Sequence, residues 1–446
     1  MILLAVLIPS VASAGGYTLP VHGVRSLAMG GAELAGATGA DALYGMPANL
    51  DGTEIGLDVA LIHLDADYTR DGASVTNLAD VVPNPTLAVI YRLNDTASFA
   101  LGAYAPWSAQ GRYDEAGPQR YSLIANDESV VLYIHLAVAI RLGDFRFGGG
   151  IQNVIGNIKQ RVTLSAYTGL FGTPEDPDFD VLSEVVLSDP FTLSGNFSAA
   201  YDAGPVTFGV VYQLPYSMSG SATFKQRLPS SVFFDNVEII GDQADMSIPF
   251  PMAIGAGVSV VPHERLRIEG AFRWEDWSTQ QRLRITPTNI RLDGVPAIGE
   301  YQVGPAILEK RMHDTISVHL GADVRAVGEL HLRGGVFWES SAFEDDAFSI
   351  ALPDDTKLGI GAGISWSFYW FRLDASLAHV FQGERIVTGS ELKQVNPTNP
   401  SQAVAIGNGT YQTDFWLGGL AFAWIPGSDD ALGDASQTLD VSTGQR

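Results

Sequence analysis

A period of two, repeated from about residue 54 to residue 424, limits this chain more than any other feature. In Phe250–Ser278, Met252, Ile254, Ala256, Val258 and Val260 fall on one side, and Ala253, Gly255, Gly257 and Ser259 on the other. After Pro262-His263-Glu264, Leu266, Ile268, Phe272 and Trp274 oppose Arg267, Glu269, Arg273 and Glu275. Successive side chains of a strand point to opposite faces, so each run is a strand with one apolar face. Val130–Arg141 is the clearest, with Val130, Leu132, Ile134, Leu136, Val138 and Ile140 on its apolar side. About fourteen such runs follow one another. Short turns such as Gly143-Asp144 and Asp202-Ala203-Gly204 join every second pair. The connections between are long: 65–85, 105–128, 160–190, 225–249, 276–313, 340–356 and 383–411. Short turns at one end and long loops at the other are the two sides of a bacterial outer-membrane barrel. A sandwich or propeller has no reason for that asymmetry.

The chain has 446 residues, of which 46% are hydrophobic, yet no run of about 18 apolar residues occurs. That combination suits a barrel better than a large soluble β protein, because alternation dilutes the apolar residues. The net charge of −24 excludes a nucleic-acid binder, which needs clustered Lys and Arg. There are no cysteines, so disulfides and thiol catalysis are excluded. No catalytic constellation, phosphate loop or clustered metal ligands are found. No cofactor is expected.

Ile2–Ile8 is apolar and Ala12-Ser13-Ala14 is a small-x-small site. Residues 1–14 therefore read as a signal peptide, though without a basic leading region. Residues 15–53 are rich in Gly and Ala and lack alternation, with room for one short helix. They are too few to build a core and must pack on something else. The expected organisation is a barrel over 54–425 and a disordered acidic tail over 426–446. Aromatic residues gather at two levels, as membrane interfaces require. Phe145, Phe147, Tyr201, Phe368, Trp370 and Trp424 lie by the short turns; Tyr104, Trp107, Trp274, Trp277 and Trp338 lie toward the long loops.

Three stretches carry a family resemblance: Met46-Pro47-Ala48-Asn49, Leu101–Trp107, and the hairpin from Phe250-Pro251 to Trp274-Glu275-Asp276-Trp277-Ser278. In this order and spacing they resemble the FadL family of outer-membrane transporters for long-chain fatty acids and other hydrophobic compounds. Met46 stands where that family has Asn. The resemblance implies an all-β membrane protein, a roughly 14-stranded antiparallel barrel with residues 15–53 as a hatch inside the lumen. It implies a monomer in the outer membrane, in contact with lipid and lipopolysaccharide, that takes up a fatty acid, detergent or hydrocarbon. A weak outer groove would then involve Leu170 and Phe171, and an inner pocket would lie against Tyr17 and Leu19. A kink of the third strand at Gly102 and Pro106 would open the wall.

The inward glycines 148, 150, 255, 257, 359, 361 and 363 either make room for a plug or acyl chain, or permit curvature. Of the inward arginines, Arg267, Arg273 or Arg333 could bind a carboxylate through its guanidinium fork; the residues do not say which. An outer-membrane lipase and an aqueous porin are the competing functions. The protein should fractionate with the outer membrane and migrate faster on a gel unheated than boiled. Soluble cytoplasmic protein would refute the barrel.

Overall fold

The computed structural model describes residues 21–106, 111–296 and 299–427. The expected signal peptide and acidic tail, together with Tyr17, Leu19 and Trp107, lie outside them. Fourteen strands close into one antiparallel barrel. They are β1 Glu54–Arg70, β2 Val82–Arg92, β3 Ala97–Tyr104, β4 Val130–Leu142, β5 Phe145–Ser165 and β6 Asp180–Ala203. β7 runs as Val206–Gln213 and Tyr216–Arg227, and β8 as Gln243–Phe250 and Ala253–His263. The rest are β9 Leu266–Glu275, β10 Thr315–Val327, β11 Leu330–Glu339, β12 Lys357–Phe368, β13 Phe371–Val387 and β14 Gly409–Trp424. β14 pairs with β1 from Ile55↔Trp424 to Thr69↔Thr410, which closes the wall. Tight turns join β4 to β5 and β6 to β7, where Gly143 and Gly204 take φ of 63° and 65° that other residues resist.

The outward faces are those expected. Ile134, Leu136, Val138 and Ile140 on β4 are exposed, while Val131, Tyr133, His135, Ala137 and Ala139 are buried. On β8 and β9, Ile254, Val258, Ile268 and Phe272 face out, and Glu269, Ala271 and Glu275 face in. At the short-turn end Phe145 packs on Tyr201 at 4.7 Å, and Phe371 bridges Phe368 and Phe422 at 5.9 and 5.5 Å. The other aromatic level differs from expectation: Tyr104 and Trp277 are buried, turned into the lumen. They sit at a height where the interior needs filling.

The stretch 160–190 is also not a simple loop. β5 and β6 run on through Ser165 and from Asp180. At about 3.3 Å per residue, the 24 residues of β6 extend well past the 9–11 that cross a membrane. Six short strands, among them Ala73–Thr76, Arg282–Pro287 and Ala306–Glu309, add to the outer rim or form a small separate sheet.

Residues 21–50 fold inside the barrel as two short helices, Val24–Ala28 and Gly39–Gly45, and a single turn, Pro47–Asn49. One helix more than expected forms. The inward glycines decide how closely this segment approaches the wall. A Cβ on Gly335 would lie 2.0 Å from Met29 O, on Gly361 2.0 Å from Leu27 O, and on Gly148 2.3 Å from Ala48 N. These positions are empty of side chains because backbone from the segment occupies the space. Gly255 and Gly257 likewise receive Leu34. Gly150 and Gly359 instead receive the wall's own His135 and Phe337.

Ile134→Arg puts a charge on the lipid face and should cost about 2–4 kcal/mol in barrel stability, read by urea unfolding in vesicles. Ala137 is buried among Leu43, Met46 and Leu50 of the segment, so Ala137→Arg should spare the barrel but dislodge the segment. Equal barrel losses would show the two faces to be misassigned.

Candidate functional site

The N-terminal segment is held by charge as well as shape. Glu269 on β9 accepts hydrogen bonds from the N–H of Leu34 (2.6 Å) and Gly36 (3.0 Å). Asp58 on β1 accepts from Val24 N–H at 2.6 Å. Within the segment Arg25 pairs with Asp41 at 2.6 Å. The Met46–Asn49 stretch joins both sides. Met46 is fully buried, with its methyl against Gly209. Ala48 N–H donates to Ser198 Oγ at 2.8 Å. Asn49 Nδ2 donates to the carbonyls of Ala35 (2.8 Å) and Leu34 (3.3 Å).

The three arginines considered for a carboxylate are all engaged. Arg267 reaches Glu269 at 3.0 Å and Glu33 at 3.2 Å. Arg333 holds Asp323 at 2.8 Å and also contacts Ser365. Arg273 donates from Nε to Glu275 at 2.6 Å. Arg267 and Arg333 lie in one buried layer with Arg372, which joins Glu54 at 3.1 Å and Asp374 at 3.0 Å. They serve the wall and the segment rather than an open cavity.

Above this layer lies a chamber. Tyr44 and Gly45 of the segment form its floor, and Tyr104, Pro106, Tyr133, Gln152, Gln213, Tyr216, Pro251, Arg273 and Trp277 line it. Three wall irregularities meet there. β7 breaks at Leu214-Pro215, β8 breaks at Pro251-Met252, and β3 leaves the sheet after Tyr104. The β3 ladder ends at Thr86↔Tyr104 on one side and Tyr104↔Tyr133 on the other. Beyond it, Val82–Pro85 of β2 pair with β1 and Val130–Leu132 of β4 pair with β5. Among the described residues no strand lies between them. Pro83 and Pro85, which cannot donate, fall on this stretch of β2. Gly102 is not a kink. It sits in regular register with Ala88 and His135, and a Cβ there would meet Leu43.

Aromatic rings line the chamber in series: Tyr44–Tyr104 at 5.2 Å, Tyr104–Tyr133 at 5.4 Å, Tyr133–Tyr216 at 6.0 Å and Tyr216–Phe250 at 4.8 Å. His22 continues the row, 4.1 Å from Tyr44. Burial first, and then Arg273, pulls its imidazole down to about 3, so it stacks as a neutral ring. This row escaped sequence reasoning because its members come from five separate elements.

Farther out, an apolar pocket of about 120 Å³ is lined by Leu164, Val181, Phe233, Phe234, Leu292 and Tyr301 among others. Leu170 and Phe171 are not part of it. They stand exposed at the β5–β6 tip, at 76% and 82%. A buried apolar layer that includes Val154, Val162, Val185, Leu187 and Ile285 joins the pocket's Leu164 and Val181 to the chamber's Tyr104, Tyr133 and Tyr216.

A closed fourteen-stranded barrel with an N-terminal segment in its lumen and one shortened wall strand has the architecture of a FadL-type outer-membrane channel. Residues 5–415 match the family described as "Outer membrane protein transport protein (OMPP1/FadL/TodX)", and the chain belongs to it. It is thus an outer-membrane channel of a family that transports hydrophobic compounds. The fold is similar to that of a Pseudomonas aeruginosa FadL homologue: TM-score 0.73, 15% identity, covering 92% of this chain and 100% of that one. It is also similar to the Pseudomonas putida toluene transporter TodX: TM-score 0.65, 14% identity, covering 92% and 100%. For the Ralstonia pickettii toluene transporter TbuX the values are 0.60, 17%, 91% and 99%. No curated protein matches the sequence.

Arg25 is the one Lys or Arg between positions 15 and 53, and it is buried. Gly335→Val should expel the segment it anchors against, so trypsin should cut after Arg25 in the variant but not in the parent. A resistant variant that keeps heat-modifiable migration would show that the glycine is not needed for docking.

Proposed function

We propose that the protein carries out passive uptake of fatty acids or other hydrophobic small molecules, with residues 21–50 acting as a hatch and with exit sideways through the wall at β3. The observation that carries this reading is the early end of β3 beside the chamber. A ligand would first settle in the apolar pocket of the outer loops. It would then pass the buried apolar layer and reach the chamber over Tyr44. The chamber holds about 50 Å³, against the roughly 150 Å³ that admits benzene to an apolar cavity. Occupancy therefore requires the hatch to shift. Tyr44 and Gly45 end the second helix, next to the Met46–Asn49 anchor.

Two physical points support the sideways route. Below the chamber lies the buried layer of Arg267, Arg333, Arg372 and their carboxylates, which an apolar molecule could cross only by disrupting paired charges. Beside it the β3 ladder ends at Tyr104, and among the described residues no strand continues it between β2 and β4. Leaving through the wall keeps each CH₂ out of water, worth about 0.8 kcal/mol apiece. An aqueous porin would need an open lumen, whereas residues 21–50 occupy this one.

Pro106→Val combined with Pro83→Val and Pro85→Val restores donors along the gap and should let β3 continue between β2 and β4. Uptake of radiolabelled oleate and toluene by cells should fall several-fold with the barrel still assembled. Unchanged uptake of both would refute the wall route and favour passage through the lumen.

A further inference from the structure

The chamber's polar atoms are unequally committed. Gln152 Nε2 donates to the Tyr104 hydroxyl at 3.0 Å and to Gln213 Oε1 at 3.3 Å. Gln213 Nε2 donates to Gln152 Oε1 at 2.8 Å and to Ser194 Oγ at 2.9 Å. All four amide N–H groups are therefore used. Each amide oxygen has accepted one bond of the two it can take. The Tyr104 hydroxyl sits 3.1 Å from His135 Nδ1 and closes the network on that side. The cation at the rim, Arg273, is neutralised by Glu275 at 2.6 Å, and Trp277 Nε1 is spent on the same carboxylate at 2.7 Å. The chamber thus offers spare acceptors within a row of aromatic rings, while its amide and indole donors are taken.

We propose that the preferred ligand is a neutral aromatic bearing a hydrogen-bond donor, a phenol or aromatic alcohol, and not a carboxylate or a bare hydrocarbon. This rests on the uptake reading above and narrows its substrate. The flat ring stacks in the row formed by Tyr44, Tyr104, Tyr133 and Tyr216, where offset and edge-on contacts are both available. The ligand O–H is donated to Gln152 Oε1 or Gln213 Oε1. A carboxylate has only acceptors to bring, and it meets amide oxygens that are acceptors too. A hydrocarbon stacks but leaves the amide oxygens without a partner in a dehydrated site, a mismatch that sites built for a hydroxyl penalise.

The test compares three molecules of one shape on the full-length protein in detergent: p-cresol, toluene and p-toluate. Binding is followed by tryptophan fluorescence, since Trp277 lines the chamber, and uptake by cells expressing the protein. The expected result is p-cresol about tenfold tighter than either of the others. Gln152→Leu should bring the cresol-to-toluene ratio close to one. Tyr104→Phe, a smaller change, should lower it partway, and either variant must keep heat-modifiable migration to be counted. Toluene binding as tightly as p-cresol, or a ratio unmoved in both folded variants, overturns the proposal while leaving hydrophobic uptake intact. Tighter binding of p-toluate also overturns it and assigns the site to Arg273. Absence of uptake for all three, together with absence of oleate uptake, would overturn the uptake reading itself.

Discussion

In hydrocarbon an unpaired backbone N–H or C=O costs several kcal/mol, so a sheet that crosses a membrane must have no edge. That constraint governs this molecule. It explains why β14 returns to β1 over fifteen paired positions, Ile55↔Trp424 through Thr69↔Thr410. It also explains why the turns are short at one end, where strands need only reverse. Against that requirement, the early end of β3 is costly. Among the described residues, β2 and β4 each run on past it without a strand between them. One way to lower the cost is to supply fewer groups that need partners, and Pro83 and Pro85 do so on the facing stretch of β2. An interruption made tolerable in this way on the adjacent strand fits the sideways exit proposed above.

The second constraint follows from the first. Fourteen strands enclose more space than inward side chains can fill. Here the chain fills it with residues 21–50, and the fit is made from both sides. Glycines on β5, β10, β11 and β12 let that backbone come close, as Gly148, Gly321, Gly335 and Gly361 show. Glu269 and Asp58 accept its N–H groups. A segment too short to have its own core is thereby given one, contributed by the wall. The same arrangement keeps the interaction reversible in principle. Polar anchors and small-residue contacts can be exchanged for water more readily than a large apolar interface can.

How much of this was legible depended on what each face meets. Along Leu266–Glu275 one face meets lipid and the other charged lumen, so the alternation was plain and the assignment correct. Past the membrane neither face of β5 or β6 meets lipid, and the contrast vanishes. Residues 160–165 and 180–190 therefore read as loop although they are strand. Tyr104 and Trp277 were placed with the interface aromatics because their height is right; their direction depends on what the lumen lacks. The arginines were legible together with near partners such as Glu269 and Glu275 on the same inward face, but not their distant ones. Arg372 and Glu54 are 318 positions apart, and only barrel closure makes them neighbours. Gly102 was noticed as a strand-weakening residue, when its actual role is to admit Leu43 from the segment.

A channel for apolar molecules with a heavily charged interior looks contradictory until the two are separated by height. Arg267, Arg333, Arg372 and their carboxylates lie on the short-turn side of the chamber; the aromatic row and the apolar layer lie on the long-loop side. Buried ion pairs contribute little net stability over an apolar filling, but breaking one is expensive. A layer of them is therefore a good barrier to any molecule that cannot offer replacement bonds. Under the uptake proposed above, water-soluble solutes would be stopped by the apolar layer above, and greasy ones by the charged layer below. On the proposed sideways route, a molecule in the chamber would leave where, among the described residues, no strand follows β3 between β2 and β4. On that proposal, selectivity and direction would both follow from where polar groups have been satisfied in advance and where they have been left out.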